Sequence, residues 1–512
     1  MKTRVKQSLA WMLALLLTLG VWAASGVSLS TVSAAAGDSY NYTTLEDGTL
    51  SITGYTGSEA NLTIPAELDG VAVTSISENA FQSKTGIVSV TIPEGITQIG
   101  ARAFYDCTQL GNIDIPSTLE SVAANSFENT AYFNNAGNWN GSCLYLEDVL
   151  LCSVPSQSTQ LFVEYGTRVI ASAALAFNGN LTTINLPDTV EIMGDGAFLG
   201  CTSLTSILLP QGLETVSEAA FAYCESLKEV TFSDSVTEIA AGAFGFCTSL
   251  EELVLPPSLR VIREQAFLGD TSLRTVVLSP NLEFVELLAF DSCDNVTLYG
   301  VEGSYGQQYA NNNGIPFTAI APGLPFIDIA PSGVYYTDAV QYVYENGLMT
   351  GMNATTFGPS QTLSRAQFAV ILYRMAGSPS VAGMDNPFAD NQQGMFYHDA
   401  VIWCNNVGII TGYYNADGSF TGRFGPSDRI TREQLATMLY RYANYAEMDT
   451  SASISLDDFG DGSRVSAFAA QALQWAAAEG IVSGRQTDPP TIAPQDSASR
   501  ADTAVMLQRF LV

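Results

Sequence analysis

Histidine is nearly absent from this chain: His398 is the single imidazole in 512 residues. No zinc motif, phosphate-binding glycine loop, Gly-x-Ser-x-Gly elbow or Cys/His pair can be assembled from the sequence. We therefore expect no catalytic residues, no metal and no cofactor, and read the chain as a non-enzyme. Acidic pairs are abundant, so their presence alone says nothing of glycosidase chemistry. Cations are scarce too, with 20 Lys and Arg against 51 Asp and Glu and a net charge of −31. A surface of that sign repels nucleic acid and anionic lipid, which excludes nucleic acid as a partner. Beyond the first three dozen residues no apolar run is long enough to cross a bilayer.

The first 36 residues read as a secretory signal. Lys2, Arg4 and Lys6 precede an apolar run from Leu9 to Trp22, and Val32-Ser33-Ala34 offers a cleavage site. No acid lies in this segment, so its removal takes the charge from −31 to −34. No membrane span is expected after that removal. Eight cysteines are present. Five of them, Cys107, Cys201, Cys224, Cys247 and Cys293, stand three residues after a phenylalanine. Asp270 fills the same slot once, so the slot asks for a small buried group rather than sulfur chemistry. Cys143 and Cys152 differ. A hairpin turn at Glu147-Asp148 would place them opposite each other, and a disulfide there suits a secreted protein.

The chain is organised by repetition. Phe81, Phe104, Phe127, Phe177, Phe198, Phe221, Phe244, Phe267 and Phe290 follow one another at gaps of which six are 23 residues. A fixed period in the twenties is the mark of a solenoid, because one repeat cannot bury its own faces and must stack on its neighbours. Each repeat supplies a short strand such as Ser206–Leu209, a turn opened by proline or serine, and a compact Ala-Phe-x-x-Cys segment. Residues 37–320 form this domain. Tyr40–Tyr42 and a hairpin at Asp47-Gly48 would close its start, and Gly303–Phe317 its end. A hairpin insertion is expected near 134–165.

The pattern I-x-x-x-A-F-x-x-C-x-x-L-x-x-I-x-L-P resembles the BspA-type leucine-rich repeats of bacterial surface proteins. The resemblance implies a curved solenoid with a strand-lined face and a role in adhesion or ligand binding. Alternation along each strand assigns the outward positions. Leu208, Val254 and Val277, flanked by Glu229 and Glu252, are the candidate recognition patch for an unidentified protein or glycan.

After Pro325 the pattern changes to three related units at 325–377, 387–445 and 456–512. They open with Phe326-Ile-Asp328, Phe388-Ala-Asp390 and Phe459-Gly-Asp461. A helix follows each, ended by Gly347, Gly408 or Gly480 in the position of a left-handed cap. Segments ending in Gly351, Gly412 and Gly484 come next. Then Ser364-Arg365, Thr431-Arg432 and Ser499-Arg500 open a second helix. Ser364, Thr431 and Ser499 read as N-caps, Gln367 and Gln434 as capping-box partners, and Asp502 as a favourable charge on the helix dipole. Capping does not explain the arginines. A cation beside free helix N–H groups makes an anion site.

These units resemble surface-layer homology (SLH) domains. The resemblance implies an all-α pseudo-threefold bundle whose grooves bind pyruvylated secondary cell-wall polysaccharide without a covalent bond. Arg365, Arg432 and Arg500 align with the family arginine, and together with Ser364, Thr431, Ser499, Gln367, Gln434, Asp502, Gly351, Gly412 and Gly484 they are the candidate polymer-binding residues. The expectation is thus an α+β chain, a leucine-rich-repeat solenoid followed by an SLH bundle. It would be a secreted cell-wall adhesin whose repeats face outward. The alternative is a structural surface-layer component.

Overall fold

A computed structural model describes residues 39–155, 158–415, 417–485 and 487–512. The expected signal peptide lies outside the described residues. The described chain forms two compact units. The first takes in the chain up to Glu251 with Ser258–Leu273 and Phe284–Asn295. The second comprises Glu252–Pro257, Arg274–Glu283 and Val296–Val512.

The first unit is a β-solenoid. Its opening hairpin, Tyr40–Thr44 against Leu50–Tyr55, turns at Asp47-Gly48 with Gly48 at φ +85°. Beyond it the rungs pair in parallel, 23 residues apart. Ser206, Ile207 and Leu208 lie opposite Glu229, Val230 and Thr231. The repeats also form a second ladder. Two-residue rungs at Thr215–Val216, Glu238–Ile239, Val261–Ile262 and Phe284–Val285 also pair in register. β-Branched Val and Ile fill both ladders, where pleated packing favours them.

Between the ladders the repeat phenylalanines stack. Centroids from Phe198 through Phe221, Phe244 and Phe267 to Phe290 are 5.0–5.7 Å apart, with the planes within 11°. A second stack joins Phe81, Phe104 and Phe127. Phe177 is a correction: it is 37% exposed, whereas Leu175 is fully buried. The 23-residue register from Phe198 leads back to Leu175. The backbone agrees, because the residues two before and two after every core ring except Phe127 adopt positive φ. Ala219 and Tyr223 do so around Phe221, and Ala173 and Phe177 around Leu175.

The cysteine slot has a defined chemistry. Cys107, Cys201, Cys224, Cys247 and Cys293 each donate their thiol to the carbonyl 26 residues earlier, at 3.0–3.3 Å. Asp270 occupies the slot with 0% exposure, and its Oδ1 accepts from the Cys247 N–H at 2.7 Å. Its Oδ2 is buried with no hydrogen-bond partner, and burial pushes the carboxyl up to about 8.

The insertion is a hairpin of Cys143–Leu146 and Val149–Ser153, whose second strand joins the parallel ladder at Val169–Ile170. Its cysteines are not opposite each other. A bulge after Leu144 sets Cys143 against Ser153 and Leu144 against Cys152, and both thiols are free.

The second unit starts with a parallel sheet of Glu252–Val254, Thr275–Val277, Thr297–Gly300 and Phe317–Ala319. The helix Tyr305–Asn313 packs beside it and ends at Gly314, φ +68°. Three helix pairs follow: Thr337–Glu345 with Arg365–Met375, His398–Asn406 with Arg432–Tyr445, and Ala470–Ala478 with Arg500–Leu511. The second helix of each pair packs on the first helix of the next pair, and the last returns to the first. A ring of three backbone hydrogen bonds closes the arrangement. Leu363 N–H donates to Ala498, Ala498 to Ile430 and Ile430 to Leu363, at 2.9–3.2 Å. Trp403, Phe357, Phe424 and Ile492 are buried in one continuous apolar core.

Candidate functional site: three arginine grooves

The grooves arise where one pair meets the next. Ser364 and Thr431 close capping boxes with Gln367 and Gln434. Ser499 accepts from the Asp502 N–H at 3.0 Å, without a capping box. These caps satisfy the third N–H of each helix. The first two donate to backbone carbonyls of the next unit's Pro-containing loop. Arg365 and Ala366 N–H reach Asp428 and Pro426, Arg432 and Glu433 reach Asp496 and Pro494, and Arg500 and Ala501 reach Gln361 and Pro359. The expectation of free helix N–H groups is thereby corrected: the termini are bonded to the neighbouring unit.

The arginines themselves are buried, at 7%, 7% and 9% exposure. Each bridges to the following unit. Arg365 Nε donates to Phe424 O at 3.0 Å and Nη2 to Thr411 O at 3.2 Å. Arg432 Nε donates to Ile492 O at 2.9 Å. Arg500 Nε donates to Phe357 O at 2.7 Å and Nη2 to Thr350 O at 2.5 Å. The Arg365 guanidinium lies over Tyr413 and Phe424, 4.9 and 4.8 Å from the ring centroids, and that of Arg500 lies 4.5 Å over Phe357. Burial pulls all three guanidinium pKa values below the ordinary arginine value.

The acid of each Phe-x-Asp opening holds the accepting loop, a role that sequence reasoning missed. Asp328 accepts from Phe357 and Gly358 N–H, Asp390 from Phe424 and Gly425, and Asp461 from Ile492 and Ala493, all at 2.7–2.9 Å. Its threefold recurrence was the signal available. The candidate glycines are packing positions. A Cβ on Gly351 would stand 2.3 Å from Asn353 O, and one on Gly412 2.6 Å from Arg423 O. Gly484 has φ +73°.

The groove mouths differ. At Arg365 stand Tyr413 and Arg423, the latter side chain 60% exposed and 3.6 and 3.5 Å from Asp390 and Asp428. At Arg432, Nη1 lies 3.7 Å from Asp502, which also accepts from the Tyr335 hydroxyl at 2.9 Å. Arg485 is paired to Asp496 at 2.7 Å.

On the solenoid strand face, Leu208 is 63% exposed, Glu229 is exposed and Val254 half-buried. Val277 is a correction: it is buried, as is Thr275. Its strand sits between Glu252–Val254 and Thr297–Gly300 in the second unit, where Glu252 accepts from Thr355 Oγ1 at 3.0 Å. Period-two alternation assigns a side, but burial depends on what covers that side. Phe162, 70% exposed and in register with Asn185, was not among the expected face residues.

Two family models match the chain. The BspA type leucine-rich repeat region matches in six copies over residues 60–147 and 168–297, and the S-layer homology domain matches residues 325–369 and 458–504. The chain therefore joins BspA-type repeats to SLH segments and is a secreted protein of the cell-wall surface. Among curated relatives, an endoglucanase of Bacillus sp. (strain KSM-635) is 31% identical over 36% of this chain and 19% of its own length. The surface-layer 125 kDa protein of Lysinibacillus sphaericus is 28% identical over 35% of this chain and 14% of its own. The chain thus spans less than a fifth of these relatives' lengths. Among solved structures, the T. pallidum leucine-rich repeat protein is 23% identical, covering 43% of this chain and 91% of that one at TM-score 0.23. A leucine-rich cell surface protein from Faecalibacterium prausnitzii is 18% identical, covering 55% and 97% at TM-score 0.26.

Proposed function

We propose that the three helix pairs are three SLH units anchoring the chain non-covalently to pyruvylated secondary cell-wall polysaccharide. The repeat solenoid then serves adhesion, presenting its strand face to a protein or glycan. The carrying observation is an arginine recurring inside all three inter-unit grooves, in a chain of net charge −31. Local reversal of sign in an acidic protein is what an anionic polymer requires. Three grooves on one chain raise retention through effective concentration, even where each binds weakly. The relatives named as glucanases share only a small part of their length with this chain.

The test is sedimentation of the full secreted chain with purified cell walls, before and after acid removal of the secondary polysaccharide. Retention on intact walls and its loss on stripped walls is expected. Equal pelleting on both would overturn the anchor.

A further inference from the structure

The three grooves share one frame but not one electrostatic state, and at the arginine itself the difference lies in the third residue of the neighbouring unit's second helix. At the third position of the second helix stand Gln367, Gln434 and Asp502. The two glutamines reach back to the N–H of Ser364 and Thr431 and are spent there. Asp502 is a methylene shorter, and its helix has no capping box. Its carboxylate turns instead to the neighbouring unit's Arg432 at 3.7 Å and is held by the Tyr335 hydroxyl at 2.9 Å. The residues matching Tyr335 in the other units, Phe396 and Phe468, carry no hydroxyl and are 70% and 57% exposed.

We propose that Asp502 is a built-in anionic ligand that closes the Arg432 groove, leaving the Arg365 groove as the principal site for the anionic saccharide. This rests on the polysaccharide reading above. A carboxylate tethered beside Arg432 competes at a millimolar effective concentration or more. A weakly binding anion from solution must displace it, and gains only what Asp502 loses. In the Arg365 groove the matching side chain is neutral Gln434. A second cation, Arg423, stands 60% exposed at the mouth, where Asp390 and Asp428 lie against it rather than against Arg365, and Tyr413 lies against the Arg365 guanidinium; the Arg432 groove has Arg485 at the position of Tyr413, paired to Asp496 at 2.7 Å. The Arg500 groove also has a neutral glutamine, Gln367. At the positions of Tyr413 and Arg423, however, it has Met352 and Thr356, which add no charge. The grooves are therefore graded, with Arg365 strongest, Arg500 weaker and Arg432 closed.

The test is calorimetric titration of the full chain with a pyruvate-ketal-bearing oligosaccharide cut from purified wall polysaccharide. Asp502→Asn should raise the stoichiometry by one site. Tyr335→Phe, at an exposed position that does not threaten folding, should make the same site detectable at lower affinity. Arg423→Ala should weaken the tightest site about tenfold, the worth of one charge-assisted contact. Unchanged titrations for both Asp502→Asn and Tyr335→Phe, with the parent binding, would overturn the closure while leaving the anchor intact. Failure of the parent to bind either oligosaccharide or intact walls would instead overturn the anchor reading itself.

Discussion

Asp270 shows how one residue can set a property of a whole repeat array. Its slot is built for a thiol that donates to a carbonyl, and a carboxyl can act as a donor there only while protonated. Burial raises its pKa from 3.8 to about 8. The folded chain then holds a proton that the unfolded chain releases above about pH 4. Stability is greatest below that value, falls as pH rises from about 4 to about 8, and levels off beyond. The full loss is at most roughly 6 kcal/mol. Asp270→Cys should restore the thiol pattern and remove the slope. Urea denaturation of both chains at pH 5 and pH 8 measures it; parallel pH responses would refute it. Sequence comparison among the repeats picks out Asp270 as the odd member. That its Oδ2 has no partner follows only from packing.

At the scale of elements, the loops that receive the arginines depend on the Phe-x-Asp acids. Asp390 accepts two N–H groups from Phe424 and Gly425, both buried residues. Asp390→Ala leaves both donors unmet, at about 1–3 kcal/mol each. We expect a loss of about 2–4 kcal/mol in chemical denaturation, with Asp328→Ala of similar size. Helix starts were legible because Ser364, Thr431 and their glutamines have a local signature, and the capping boxes form as that signature indicates. The start of the third first-helix, at Ala470, is not legible in the sequence, since an alanine-rich stretch marks no N-cap. The second ladder of the solenoid is not legible in the sequence because a two-residue strand is too short to show alternation. The misplaced Phe177 had the opposite cause. An aromatic two residues from the core position outweighed the period, although the period was correct.

Across the whole molecule, burial governs the cysteines. Seven are buried, and only Cys152 is half-buried. Burial pushes the Cys152 thiol up to about 12 and raises Cys224 and Cys247 well above the ordinary thiol value. Thiolate is the reactive form, so the native chain should react slowly with a disulfide reagent at pH 7. Denatured without reductant, it should titrate eight thiols. A count of six would show a bridged Cys143–Cys152 pair and refute the bulged register. Two regions of unlike architecture were separable by their periods alone, and the candidate arginines by their recurrence after Ser or Thr.

The sequence by itself determined the solenoid, its 23-residue register and the division into repeats and helix pairs, because these are set by local spacing that repeats until chance is excluded. It also singled out Arg365, Arg432 and Arg500. What tertiary structure decided is the state of those residues. Their helix N–H groups are bonded to the next unit, Val277 is covered, and Asp502 reaches Arg432 across 70 residues of chain. Contacts of that kind depend on which unit follows which around a closed ring, and no local spacing encodes it.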